Sequence, residues 1–263
     1  MRNNDLGLSA LQYRESSPTS DWESTEETFT WEEYSQGEIR WHYQKVRARR
    51  SCRIKPANAT EIRGAVRIPD VIIRGDGMQI SVVEISDFAF IDCTGLTSLF
   101  IPSSIISIGT CAFSGCASLM EFKVGESNKR YITDKGVLYS KHKRRLIRYP
   151  AGRMGEYTAI NGTQAIGAFA FADCEHLFAV HIPTSVTTIG ESAFYRCCTI
   201  KEIALPPSII SIGGFAFSDC IRLTAIRLPD GITTLLHSTF YNCEALQEAN
   251  IPHSVKSIES SVF

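Results

Sequence analysis

Cys174, Cys197, Cys220 and Cys243 are the most regularly placed reactive side chains in the sequence: their numbers rise by one constant interval, and Cys93 and Cys116 are separated by the same interval upstream. Nine cysteines in 263 residues invite two kinds of chemistry. A zinc centre needs close ligand pairs, such as Cys-x2-Cys, so that four ligands converge on one tetrahedron. No such set occurs: Cys111 with Cys116, and the adjacent Cys197 and Cys198, do not make one. Disulfides need Cα atoms about 4.4–6.8 Å apart, and chain segments stacked about 4.8 Å apart would bring successive cysteines into that range. A cysteine recurring at a fixed interval has a simpler use, as a small buried residue with a weak S–H donor. His42, His142, His176, His181, His237 and His253 fall in different registers of the interval or outside it. No Gly-rich phosphate loop, Gly-x-Ser-x-Gly elbow or His-Glu-x-x-His is present. The expectation is a protein that is not an enzyme, with no catalytic residues, no cofactor and no metal.

The interval belongs to whole units rather than to cysteine alone. Phe90, Phe113, Phe171, Phe194, Phe217, Phe240 and Phe263 follow it at every step but one, and the long step from Phe113 to Phe171 is the same interval plus an insertion. Six residues after each complete Phe comes Leu96, Leu119, Leu177, Ile200, Leu223 or Leu246. Twelve after comes Pro102, Pro183, Pro206, Pro229 or Pro252, with Gly125 as the exception. Five before each Phe lies Ile85, Ile108, Ile166, Ile189, Ile212, Leu235 or Ile258. A fixed period of this size means stacked units, each too small to bury its own apolar face. The Leu-x-x-Leu-x-Ile-Pro stretch alternates like a short strand with one buried side, and proline ends the ladder in each unit. The run before each Phe suits a second strand on the opposite wall. Gly109, Gly167, Gly190 and Gly213 then suggest corners with positive φ. The spacing of three in Ala-Phe-x-x-Cys-x-x-Leu predicts a single helical or 3-10 turn.

Units such as "LTSLFIPSSIISIGTCAFSGCASL" resemble the BspA-like leucine-rich repeats found in Bacteroides-type and treponemal proteins. The resemblance covers residues 85–263, and "GVLYSKHKRRLIRYPAG" at 136–152 is similar to a variant unit of that family. It implies a leucine-rich-repeat solenoid, mainly β, with parallel stacked strands and short helical or 3-10 turns. It also implies a β-rich N-terminal cap over 37–84, and a non-enzymatic binding or adhesion role toward a protein or glycan. The alternative is a structural spacer or self-associating array. The family resemblance places such a chain at the cell surface or among secreted proteins. No apolar segment of a secretory signal follows the first residues, so a cytoplasmic chain is the other expectation.

Net charge is −1, which favours neither nucleic acid nor membrane as a bulk partner, and no run of 18 apolar residues predicts a span. Residues 1–36 hold eight Asp or Glu and two Arg, and read as a disordered acidic leader from which Trp22, Phe29 and Trp31 could dock on the cap. The insertion, near 128–162, is expected to be a hairpin appended to the array, with "GVLYS" and "RLIRY" as its strands. Its basic run, Lys141, Lys143, Arg144, Arg145 and Arg148, joined by Lys129, Arg130 and Lys135, reads first as a solvated tip, since charged edges deter strand pairing. The functional alternative is a polyanion site for glycan, nucleic acid or lipid headgroups. Arg47, Arg49, Arg50, Arg53 and Lys55 form a second basic group, in the cap.

The outward positions of the Leu-x-x-Leu strands lie eight and ten residues after each Phe. They are Ser98 and Phe100, Glu121 and Lys123, Ala179 and His181, Glu202 and Ala204, Ala225 and Arg227, and Glu248 and Asn250. In solenoids such an exposed sheet is an extended binding surface. Phe100 reads equally as a partner anchor and as a residue packed under the cap or the insertion. The sequence stops at Phe263, inside a unit, so the strand at 246–251 is expected to be an open edge: either the gene product continues beyond it, or the edge meets another chain and the protein self-associates, the plain alternative being that the short tail folds over and plugs the last coil.

Overall fold

The computed structural model describes residues 30–46 and 50–263. Trp22, Phe29, Arg47 and Arg49 lie outside that range, as does most of the expected leader. The leader's last residues are a strand: β1 (Glu32–Gln36) pairs antiparallel with β2 (Ile39–Lys45), in register Tyr34↔Trp41. Glu32 accepts the Tyr43 hydroxyl at 2.5 Å, and Tyr34 packs on the first core. Residues 32–36 of the expected leader are therefore ordered, because Glu32 is held by Tyr43 and Tyr34 packs inward.

The cap contains a coil of its own. β3 (Ser51–Pro56) runs antiparallel to β2, a 3-10 turn follows at Ala59–Glu61, and β4 (Arg63–Arg67) leads to Pro69. β5 (Val71–Ile73) and β6 (Gln79–Ile85) form a hairpin that returns the chain to the wall. Ile54 then lies beside Ile85 in a parallel pair, and the Cys93 Sγ donates to the Ala59 carbonyl at 2.9 Å. Wall strand, corner and face strand are all present, with Ala59 where later coils have Phe. Array and cap thus share one coil.

From here the coils repeat. Face strands β7 (Gly95–Ile101) and β9 (Glu121–Val124) join β4 in a parallel sheet. Between them, β8 (Ser107–Ile108) pairs with β6 in the wall. At each corner, i to i+3 bonds such as Cys93 N to Phe90 O (3.2 Å) and Cys197 N to Phe194 O (3.1 Å) confirm the spacing of three. No helix develops there, because a left-handed residue stands two positions to either side of the Phe, for example Phe169 and Asp173 around Phe171. The wall glycines are not the positive-φ residues. At Gly190 and Gly213 an added Cβ would lie 2.5 and 2.4 Å from backbone nitrogens of the preceding coil, and Gly109 and Gly167 are similarly close to their neighbours. Close approach of one coil to the next, rather than φ, demands glycine in that column.

The insertion is more than a hairpin. β10 (Tyr131–Asp134), β11 (Val137–Ser140) and β12 (Arg145–Arg148) form an antiparallel meander, and β12 then pairs parallel with β14 (Ala165–Ile166). β13 (Gly155–Thr158) takes a face position and pairs parallel with β15 (Leu177–His181). A wall strand and a face strand make a coil, so the insertion is a hairpin followed by a degenerate unit, with the Tyr149 ring 5.4 Å from Phe171 and tilted 33° to it. The wall continues through β16 (Thr188–Ile189) and β17 (Ser211–Ile212). β18 (Ala225–Arg227) and β20 (Glu248–Asn250) pair in the face, and β19 (Thr234–Leu235) and β21 (Ser257–Ile258) in the wall.

The meander divides the interior. Leu138 belongs to a core with Trp41, Phe90, Phe113 and Phe122, whereas its neighbours Val137 and Tyr139 belong to a second core with Phe171, Phe194, Phe217 and Phe240. Successive residues of a strand point to opposite sides, so β11 lines both. The column cysteines are free, and most are buried. Each of Cys116, Cys197, Cys220 and Cys243 donates its S–H to the Phe carbonyl of the preceding coil at 3.1–3.2 Å.

Candidate functional site

Pairing register sorts the outward positions into two columns. One runs Ala65, Ser98, Glu121, then within the insertion's last strand Glu156 beside Ala179, then Glu202, Ala225 and Glu248. The other contains Arg67, Phe100 and Lys123, then Thr158 beside His181, and Arg227 beside Asn250. The structure therefore aligns Ser98, Phe100, Glu121, Lys123, His181, Glu202, Arg227, Glu248 and Asn250 on one side of the molecule. It does not join them into one sheet: β4, β7 and β9 form one segment, β13 and β15 a second, β18 and β20 a third.

Charge on the first two segments of this face is self-compensated. Lys123 lies 2.7 Å from Glu121, which also accepts the Ser98 hydroxyl at 3.2 Å. The Lys123 hydrogen bond is the main reason the Glu121 carboxyl is held below its usual range. His181 pairs with Glu156 at 3.3 Å. From the insertion's last strand onward, Glu156, Glu202 and Glu248 alternate with Ala179 and Ala225, so like charges stand two coils apart. Phe100 is half-buried, with the Arg67 guanidinium 3.9 Å above its ring, and so packs under a side chain of the cap coil.

Three large apolar side chains stand exposed where the first two face segments meet. Met120 precedes β9, Met154 precedes β13 and Phe178 is the second residue of β15, and they are 48%, 75% and 57% exposed. Arg153 closes the gap beneath, its Nε and Nη2 each donating at 2.6 Å, to the carbonyls of Met120 and Lys135. Sequence reading missed Glu156, Thr158 and this trio. Glu156 and Thr158 stand one interval before Ala179 and His181, so the interval itself pointed to them. The insertion hid it, having no Phe-x-x-Cys to set the register.

The basic run is divided by its strand. Lys141, Arg144 and Arg145 reach the surface, and Lys143 pairs with Asp134 at 2.9 Å. Arg148 does not belong to an exposed patch: it is 4% exposed, because β12 points it inward. It donates to the carbonyls of Phe113, at 3.1 Å, and Phe169, and lies 3.9 Å from Asp173. Asp173 in turn accepts the Gly115 N–H at 3.0 Å. Regular corners are tied by backbone bonds such as Phe171 N to Ala193 O (2.7 Å). Across the insertion one guanidinium takes over. Burial, and then the charge of Asp173, pushes the Asp92 carboxyl up. In the cap, Lys55 lies 4.4 Å over the Trp31 ring, and Arg53 is 3.6 Å from Glu84. Among the described residues no three His, Cys, Asp or Glu side chains are placed to hold a metal ion, and no helix is long and apolar enough to cross a membrane.

The signature of a BspA-type leucine rich repeat region matches residues 78–143 and 153–263, in six copies. No curated protein sequence matches the chain. A leucine-rich repeat protein from Eubacterium ventriosum shares the fold at 18% identity and TM-score 0.50, over 88% of this chain and 85% of that one. The T. pallidum leucine rich repeat protein is 26% identical with TM-score 0.42, over 90% and 86%. A leucine rich cell surface protein from Faecalibacterium prausnitzii is 17% identical with TM-score 0.44, over 88% and 86%.

Proposed function

The chain belongs to the BspA-type leucine-rich repeat family, and from the form of its face we propose that it is a non-enzymatic binding module whose partner is a protein. The observation that supports this reading is the exposed trio Met120, Met154 and Phe178, rimmed by Glu121, Lys123, Glu156 and His181. Apolar side chains among polar ones are the anatomy of a protein interface, and large exposed apolar side chains on such a face are candidate partner anchors. The family resemblance favours work at a cell surface or in secreted form, in an adhesive role. A peptide-display selection against the folded chain tests this. Binders should be lost on Met154→Glu or Phe178→Glu with the melting temperature unchanged. Binders indifferent to both, or a glycan-array signal that ignores them, would overturn it.

Self-association is the second reading. Ile251, Ile258 and Phe263 are large apolar side chains exposed in the last described unit. Sedimentation over a wide concentration range separates the two: assembly lost on Phe263→Ser would favour the second.

A further inference from the structure

We propose that the turn joining β11 to β12, with the neighbouring Lys129 and Arg130, is a second binding site, specific for a sulfated polysaccharide. It is separate from the face and does not depend on that reading.

The site is built rather than loose. Asn128 is fully buried, and its Nδ2 donates to the carbonyls of Pro102 (2.9 Å) and Ile105 (3.0 Å). Its Oδ1 accepts the N–H groups of Arg130 and Tyr131, both at 2.8 Å, which fixes the segment carrying Lys129 and Arg130. The Lys141 N–H donates to the Arg130 carbonyl at 2.7 Å and brings the two basic segments together. The Arg144 carbonyl accepts the N–H groups of Gln164 (2.7 Å) and Ala165 (3.0 Å), and the Arg145 N–H donates to Ser140 Oγ at 3.1 Å. Every backbone segment that carries a cation is therefore pinned to the array.

Charge is treated differently here from the paired part of the face. On the face, Glu121 is met by Lys123 and the later glutamates are spaced by alanine. At this turn, Asp134 is the single acid between residues 127 and 147, and Lys143 occupies it at 2.9 Å. Lys129, Arg130, Lys141, Arg144 and Arg145 have no carboxylate partner among the described residues. Five cations crowded on a fixed turn repel one another, and a linear polyanion relieves that repulsion while releasing its own counterions.

The surroundings select among polyanions. Single-stranded nucleic acid is held by base stacking on exposed aromatic rings. The aromatics beside the turn do not offer them: Tyr139 is fully buried and Tyr131 half-buried, with its hydroxyl pushed up by that burial. A bilayer surface is held by an apolar face set among cations, and residues 141–145 carry no apolar side chain. A sulfated glycan needs neither, only closely set cations, and the planar, forked guanidinium groups suit the several oxygens of its tetrahedral sulfates.

The probe is heparin, titrated into the full chain at several salt concentrations. The logarithm of affinity should fall linearly with the logarithm of salt. The triple variant Lys141→Ala, Arg144→Ala, Arg145→Ala should bind at least about tenfold more weakly and flatten the slope by about three, near one per lost contact. A control triple, Lys201→Ala, Arg222→Ala, Lys256→Ala, should leave both unchanged. Arg144→Gln alone, expected to lower the slope by about one, serves if the triple does not fold. Absence of heparin binding at low salt, or an equal loss in the control triple, would overturn the proposal. So would tighter binding, through the same residues, of single-stranded DNA or of phosphatidylserine vesicles.

Discussion

In the C-terminal coils, Phe171, Phe194, Phe217 and Phe240 stack at 5.0–5.5 Å with their planes within 8°. In the N-terminal core the stack is two rings long. Phe90 and Phe113 lie 6.0 Å apart, Trp41 meets Phe90 edge-on at 76°, and Phe122 meets Phe113 edge-on at 64°. A parallel ring leaves a face for another copy, and an edge-on ring does not. Identical side chains extend a solenoid; a different ring turned across the axis ends a segment of it. The two regions therefore have separate cores, and the insertion is the structure that closes one and opens the other.

The largest test of that division is Phe194→Ala, expected to cost about 3–5 kcal/mol, as for other buried aromatics. Hydrogen-exchange protection should fall from Phe171 to Phe240 and stay intact at Leu96, Leu99 and Ile101. Equal loss in both regions would mean one core. Next comes β11, where adjacent substitutions should act on different regions. Leu138→Ala, costing about 2–5 kcal/mol, should weaken the N-terminal core, and Val137→Ala the C-terminal one. Identical footprints would refute the division.

Arg148→Met should cost about 1–3 kcal/mol for each carbonyl left without its donor, read from urea unfolding, with the loss concentrated at the junction. Gly190→Ala should cost about 1–3 kcal/mol by forcing two coils apart, where Glu202→Ala on the face stays within about 0.5 kcal/mol.

The smallest effect is with pH. Burial pushes the thiols of Cys116 and Cys174 up to about 12 from 9.0. The folded chain keeps these protons, while the unfolded chain releases them from about pH 9. Their stabilising effect is therefore present below pH 9 and is lost as pH rises from 9 toward 12. Urea midpoints at pH 8 and 10.5 should show the drop, and Cys174→Ala should lessen it. A midpoint that does not move would mean the thiols are accessible in the folded chain.

The fold was legible because a strict interval forces identical environments: Phe, Cys, Leu, Pro and Ile each keep their column. What escaped was whatever broke the interval. The cap coil has Ala59 in place of Phe, and its face strand lies farther from the next than the interval allows, judged by Pro69 and Pro102. The wall glycines were noticed for the wrong reason, since spacing along the chain says nothing of the distance between coils. Arg148 was grouped with its charged neighbours, although the alternation of Leu146 and Arg148 with Arg145 and Ile147 already set it apart. The face columns were readable wherever Phe fixed the count. The apolar trio depends on where two sheet segments part, which no local pattern encodes.

A strand dry on both sides acts as a bulkhead. Solvent that breaches any coil from Phe171 onward meets Val137 and Tyr139 before it can reach Phe113; from the other side it meets Leu138. Pulled lengthwise, such a molecule is two springs in series joined by a seal, and the weaker spring yields first while the other keeps its shape.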